Sequence, residues 1–470
     1  MLKKLTIPWL LVIAYFIWVV VIHLVQDGMF TDGILYAAVS RNFYLGMGSW
    51  WNLHLSQTLF NNFHEQPPLF FWLQSFFFLI IGDTIYPERI FCLVMAICTT
   101  FVIVKFWRKI NTENNAASWL PVLLLLSIPV VSWGLKNNVI ENALLLFDLL
   151  SIYFLYRSFM GQSFYKNILF AILFLIAASL SKGIQGLFPL AAPVIYYLCT
   201  REIKLKKAVL ITTVMLVSLL LFYFLLMQNP SILESYKLYF ASRFPGFPNT
   251  PNQNSTNRLW LLLSLILEML LPLFIVLAAW FTGYLLKIKT VVNKQQKQLA
   301  LFFLLVGLSA SLPLMISFEQ RRFYLITSLP YFVLALSFLS KNLFQNLSNY
   351  FSTSKRYDKV FHYFLTATII AGILFTFFTA GKIDKDKALL NDIYLLKKIA
   401  GQHSTISVSE YNWSNWPLQN YCQRYANISL LINSDTCLYH IQAKNEATFS
   451  NLNYEKLSVA TEYFTVFKKK

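Results

Sequence analysis

Acids, cations and aromatic rings in this chain gather where long apolar runs begin and end, and those are the residues that could do chemistry. Asp32 stands in Phe30-Thr31-Asp32-Gly33, a few residues past the apolar run 7–25, and His64-Glu65-Gln66-Pro67-Pro68 closes the same polar stretch before the apolar run 69–81. Glu141 is a third acid, and Lys136, Lys182, Arg243, Arg321 and Arg322 are cations within a few residues of an apolar run's end. A carboxylate can take a proton or hold a metal and cations neutralise phosphate, so such groups beside apolar walls suit an anionic lipid headgroup. Lysine and arginine at helix ends also snorkel to the membrane surface with no further role. That is a poor account of Ser181-Lys182-Gly183, which lies between two apolar runs joined almost without a loop.

The elements that must position these groups are membrane spans. The 470 residues are 57% hydrophobic, 17% aromatic and only 13% charged, a composition foreign to soluble globular domains. The formal net charge of +18 is dispersed in short basic clusters between apolar runs, which is a signal of topology and not of a nucleic-acid surface. The clusters 105–109, 201–207 and 287–297 are kept cytoplasmic and each span is given roughly 20 apolar residues. The first run, 7–25, follows Lys3 and Lys4 without a cleavage site and is a retained span with the N-terminus cytoplasmic. About eleven spans result: 9–26, 88–106, 118–134, 139–156, 167–180, 184–200, 208–227, 259–286, 299–317, 323–339 and 361–380. The run 69–81 is too short to cross, begins after two prolines, and is expected to lie along the outer interface.

The expected fold is therefore an all-α polytopic membrane protein over residues 1–380, with a first outer loop at 27–87, which carries membrane-parallel helices and an amphipathic segment through Ser40, Arg41 and Asn42, and a second outer loop at 228–257. Residues 381–470 read as a small extracytoplasmic α/β domain: a helix at 385–400, a short strand at 404–408, a further helix to Arg424 and a strand at 428–432. Cys422 and Cys437 are the one pair in a polar region that could form a disulfide.

The order of Asp32-Gly33, Tyr36-Ala37 and Arg41, then Glu65-Gln66-Pro67-Pro68-Leu69-Phe70-Phe71-Trp72-Leu73, Gly82 and Arg89, resembles the opening of membrane glycosyltransferases of the GT-C type. The likeness is to the branch of the lipid A aminoarabinose transferases and the bacterial relatives of the protein O-mannosyltransferases. Leu180-Ser181-Lys182-Gly183-Ile184-Gln185-Gly186-Leu187-Phe188-Pro189 looks like that branch's Lys-Gly-Pro segment, and Arg322-Phe323-Tyr324 with Ser328-Leu329-Pro330 like its late Arg-Tyr and Leu-Pro pattern. The resemblance implies an inverting transferase that moves a hexose or pentose from a polyprenyl-phosphate donor, such as undecaprenyl phosphate, to a lipid, glycan or protein hydroxyl. The reaction would run at the outer face of the bacterial inner membrane, as in lipid A modification or protein O-glycosylation.

By the same resemblance Asp32 is the catalytic acid. Lys182, Arg243, Arg321, Arg322 and Lys136 bind the donor phosphate, Glu65 and Glu141 bind substrate or metal, and a divalent metal ion is the cofactor left open. The chain departs from the family at Gly33, where relatives carry Glu, and at Gln66, where they carry Lys. Two readings compete: a transporter or flippase of lipid-linked glycans, and a non-catalytic glycan-binding homologue. Carriers commonly show internal repeats and acids at mid-membrane, whereas here no repeat is evident and the acids are expected at one surface.

Overall fold

The computed structural model describes residues 6–111, 117–243, 258–317, 320–352, 355–446 and 453–470. Among them, eight helical stretches are long and apolar enough to cross a membrane: Ile7–Leu24, Pro87–Ile110, Glu141–Phe159, Phe164–Thr200, Leu205–Leu226, Leu259–Leu285, Lys294–Ile316 and Asp358–Thr379. Helices are what such runs must form, because a span in hydrocarbon has to satisfy its backbone hydrogen bonds internally. The chain is an integral membrane protein, mostly helical, with a small mixed sheet at its C-terminal end.

The difference between eight long helices and eleven expected spans lies in three places. The stretch Phe164–Thr200 does not run straight: Gly183 takes φ 64°, and a Cβ added to Gly186 would lie 2.7 Å from the backbone of Ala178, eight residues earlier. The chain therefore doubles back at Lys182-Gly183. The stretch 118–134 is two short helices, Leu120–Ser127 and Pro129–Lys136, parted where Ile128 is extended (ψ 120°) ahead of Pro129, since a residue before proline avoids the helical region. The stretch 323–339 opens with the 3-10 turn Arg322–Thr327 before the helix Leu329–Ser352. The helix Leu69–Ile81 is the one shorter apolar helix of this kind among the described residues.

Two elements differ from the expectation. The segment around Ser40, Arg41 and Asn42 is not a half-solvated amphipathic surface: in the helix Thr31–Tyr44 every residue from Gly33 to Asn42 is buried, because both the bundle and the C-terminal part cover it. About half of the stretch 228–257, expected as a loop, is the helix Pro230–Arg243, which packs Tyr236 against Trp51.

The C-terminal part follows the helix Lys387–Ala400 with strands β1 (Thr405–Val408), β2 (Ser429–Ile432), β3 (Tyr439–Ala443), β4 (Tyr454–Lys456) and β5 (Phe464–Lys469). They form one sheet in the order β2-β1-β3-β5-β4, with β1 parallel to β2 and β3 and the other pairs antiparallel. Its core includes Met29 and Ile34 from the far end of the chain. Cys422 and Cys437 are both buried and unbonded.

Charge locks this part to the bundle. Arg424 gives its guanidinium to Glu88 (Nη2 to Oε2, 2.9 Å) and Asp83 (Nη1 to Oδ1, 2.8 Å), and Arg89 reaches Glu88 at 3.1 Å and Asp27 at 3.4 Å. Tyr394 donates to the same Asp27. Arg424, Arg89 and Glu88 are each no more than 1% exposed. Asp27 also bonds the backbone after the last span, its N–H donating to Lys382 O at 2.8 Å.

Arg424→Ala strips the buried Glu88 of one of its two guanidinium partners and leaves it Arg89 alone, and breaking a buried pair costs up to about 3–5 kcal/mol. We expect this variant to lower the thermal midpoint sharply and to expose the 381–470 part to protease, both measured on detergent-purified protein. In the same part burial pulls His440 from 6.5 down to about 4, against the opposing pull of Glu446 and Asp435. The unfolded chain therefore takes up this proton before the folded one, so stability should fall as pH drops from about 6.5 towards 4 and be flat above that window. His440→Gln should flatten the slope in pH-dependent thermal melts.

Candidate functional site

Asp32 lies in the first turn of the helix Thr31–Tyr44, half-buried, where the positive end of the helix favours a carboxylate. The helix starts here because Phe30 is extended (ψ 140°), and its N–H is taken by Asn137 Oδ1 at 2.9 Å. Asn138 Nδ2 donates to Gly33 O at 2.8 Å. A Cβ on Gly33 would fall 2.1 Å from Asn137 O, so the backbone of 137–138 occupies the space of a side chain at the position where relatives carry Glu.

Lys182 ends the helix Phe164–Lys182 and is 6% exposed. Its ammonium pairs with Glu141, itself 1% exposed in the first turn of the helix Glu141–Phe159. It also sits 3.9 Å from the centre of the Tyr324 ring and 5.8 Å from that of Phe323, a cation over aromatic faces. Tyr239 donates its hydroxyl to Lys182 O at 3.3 Å, and Gln185 Nε2 to Tyr324 O at 2.9 Å. Phe323 links the two centres: its ring meets that of Phe30, two residues before Asp32, at 5.6 Å.

Lys182 opens onto a cavity of about 260 Å³. Gln66, Gln185, Tyr239, Ser317 and Tyr324 supply its polar groups, and Ile184, Leu187, Phe188, Pro313 and Leu314 its apolar wall. The break at Gly183 creates this arrangement, because it turns a cation and an apolar 3-10 segment into one lining. Such a space can take a headgroup at one end and hydrocarbon along the wall.

The other sequence candidates are spread around it. Glu65 is half-buried beside Gln66, which lines the cavity. Arg322 is exposed and binds Glu268 (Nε to Oε1, 2.9 Å), with Arg321 exposed next to it. Lys136, at the end of its short helix, feels Asp384 as its opposing charge, which in turn contacts His23 at 3.2 Å. Arg243 ends the helix Pro230–Arg243, and its side chain, like residues 244–257, lies outside the described residues.

Two acids were missed, and they correct the expectation that the acids keep to one surface. Glu268, 2% exposed inside Leu259–Leu285, also accepts from Val130 N at 2.8 Å, so it holds both Arg322 and the start of a short helix. Asp148, 0% exposed within Glu141–Phe159, makes no hydrogen bond among the described residues. A lone acid inside an apolar run is the signal that could have found each. Among the described residues no three His, Cys, Asp or Glu side chains group as a metal site. Glu141 gives its carboxylate to Lys182, so Glu65 and Glu141 do not fit as a ligand pair.

Lys182→Ala leaves Glu141 buried and unpaired, with an expected loss of about 3–5 kcal/mol. Lys182→Met with Glu141→Gln removes both charges and should regain most of that stability in thermal melts.

Residues 65–227 match the model of the family described as dolichyl-phosphate-mannose-protein mannosyltransferase. No curated protein matches the chain in sequence. Among solved structures, ArnT from Cupriavidus metallidurans bound to undecaprenyl phosphate aligns with a TM-score of 0.64 at 14% identity, over 98% of this chain and 97% of that one. The same protein in its apo state aligns at 0.62 and 13%, over 98% and 96%. These matches bear out the resemblance read from the motifs: over 98% of its length the chain has the fold of ArnT, and residues 65–227 match the mannosyltransferase family model.

Proposed function

We propose that the protein transfers a sugar from a polyprenyl-phosphate donor to a lipid, glycan or protein hydroxyl at the outer face of the bacterial inner membrane. The observation that carries this reading is the cavity in which the cation Lys182 stands at the end of an apolar wall. A phosphate-linked polyprenyl chain has that polarity. The likeness in fold to ArnT bound to undecaprenyl phosphate points to the same donor class.

In this mechanism the phosphate approaches Lys182 and shares its ammonium with Glu141, a charge-assisted contact about twice as strong as a neutral hydrogen bond. Arg243, Arg321, Arg322 and Lys136 supply further positive charge around the donor, and Glu65 contacts substrate. Asp32 takes the proton of the acceptor hydroxyl as its oxygen bonds to the anomeric carbon. The bond from that carbon to the phosphate oxygen breaks, and polyprenyl phosphate leaves with the electron pair. The acceptor enters opposite the leaving group, so the anomeric centre inverts, and one carboxylate suffices.

Asp32→Asn keeps size and polarity but loses basicity. Turnover with purified protein and a defined lipid-linked sugar should drop by about 10²–10⁴-fold while donor binding persists. Near wild-type product formation would overturn the role of Asp32 and move it to Glu65. The buried Asp148 is the observation that favours a carrier for lipid-linked glycans. Release of free polyprenyl phosphate in the same assay separates the two, since a carrier releases none. The basic clusters 105–109, 201–207 and 287–297 orient the N-terminus to the cytoplasm and 381–470 to the outside. An impermeant thiol reagent on intact cells should therefore label Gln402→Cys and spare Asn293→Cys.

A further inference from the structure

At the opposite end of the helix Thr31–Tyr44 from Asp32, a second cavity of about 240 Å³ opens between the end of that helix, Asp83 in the turn after Leu69–Ile81, and the C-terminal part. A water's share of liquid volume is about 30 Å³, so the space takes a group of several heavy atoms. Its polar lining is dominated by donors: Arg41, Lys397, Gln402, His403 and Asn427, with Asp83 the only acid.

The hydrogen bonds fix what these donors have left to give. Arg41 spends Nε and Nη2 on Asn42 Oδ1 (3.2 and 2.7 Å), Nη2 again on Asn427 Oδ1 (3.0 Å), and one Nη1 hydrogen on Arg424 O (2.9 Å). One Nη1 hydrogen remains, and the nearest carboxylate, Asp83, stands at 4.0 Å, past hydrogen-bond reach. Asp83 is meanwhile held by Arg424 at 2.8 Å. Arg41 can only donate, so the Asn427 atom facing it is the oxygen and the amide nitrogen faces His403 Nδ1 at 2.7 Å. Nδ1 must accept, which leaves the Nε2 hydrogen to donate. The Lys397 ammonium makes no hydrogen bond or ion pair among the described residues. Burial, with Arg424 close by, pulls Arg41 down to about 10 despite Asp83 and Glu88.

The surroundings are apolar and exposed. Leu45 lines the cavity, and Leu79 and Ile80, just before Asp83 on the short apolar helix, are 65% and 64% exposed. In a membrane protein such a face meets lipid.

We propose that this cavity binds the phosphate of an anionic lipid headgroup through Arg41, Lys397 and His403, with the acyl chains lying along Leu45, Leu79 and Ile80. This lipid is separate from any donor in the Lys182 cavity, and the proposal does not rest on the transfer reaction.

Native mass spectrometry of the full chain in neutral detergent, titrated with phosphatidylglycerol, tests it. Wild type should hold one lipid that survives activation. Lys397→Gln with His403→Gln changes side chains outside the buried network, so its melting temperature should match wild type while its lipid affinity falls at least about tenfold, the loss of one charge-assisted contact. The Lys182→Met, Glu141→Gln variant should keep the lipid. Loss of the lipid there, with retention in the Lys397→Gln, His403→Gln protein, would put it in the Lys182 cavity and overturn the proposal. Millimolar inorganic phosphate should not displace the lipid; displacement would reduce the site to one for free phosphate.

Discussion

A buried charge must be paired, and the cluster of Glu88, Arg89, Arg424 and Asp27 is where this fold depends on that rule. Exposed ion pairs contribute little to stability, whereas a fully covered charge that loses its partner costs several kcal/mol. The four members come from three parts of the chain: Asp27 after the first span, Glu88 and Arg89 at the head of the next, Arg424 in the C-terminal part. The full set of contacts forms only when all three parts are in register. The helix Thr31–Tyr44 is enclosed as a result, with Asn420 Nδ2 donating to Thr31 O at 3.2 Å and Tyr421 to Met29 O at 3.1 Å. Asp32 thus stands on an element held from both sides, which fixes a reacting group better than a free loop would.

The second constraint is the turn at Lys182-Gly183. A lysine in mid-helix would snorkel along its own span. Ending the helix with Gly183 in a conformation few other residues adopt, and folding the next segment back against Ala178, keeps Lys182 buried with Glu141 and adds an apolar wall beside it. Gly33 and Gly183 act at the two sides of the same region, one admitting the 137–138 backbone and the other turning the chain.

The parts of this architecture that were legible in the sequence follow from hydrophobic length and charge sign. Apolar runs gave the spans, and the polar tail gave a helix, β1 and β2 close to their observed bounds. Proline and glycine punctuation told where a run ended but not whether the chain bent, broke or reversed there, so 118–134 looked like one span and is two short helices. The strands β3, β4 and β5 are three to six residues long, too short for alternation to betray a strand. Asp32, Lys182, Glu65 and Glu141 could be singled out because they interrupt apolar sequence. The Lys182–Glu141 pair could not, because it joins residues 41 apart, and Glu268 lies inside a span whose apolar length alone marks it as membrane-crossing.

The hydrogen bonds between Met29 and Tyr421 span 392 residues, and they have a consequence in time. A ribosome adds about 5–20 residues per second, so the helix that carries Asp32 is made roughly 20–80 s before the residues that enclose it. Through that interval the bundle can insert span by span, but Glu88 and Arg89 lack Arg424 and one side of the helix is bare. The acid therefore reaches its final setting only when the last part of the chain has been synthesised and docked, so a nascent or truncated chain is membrane-bound before it is competent.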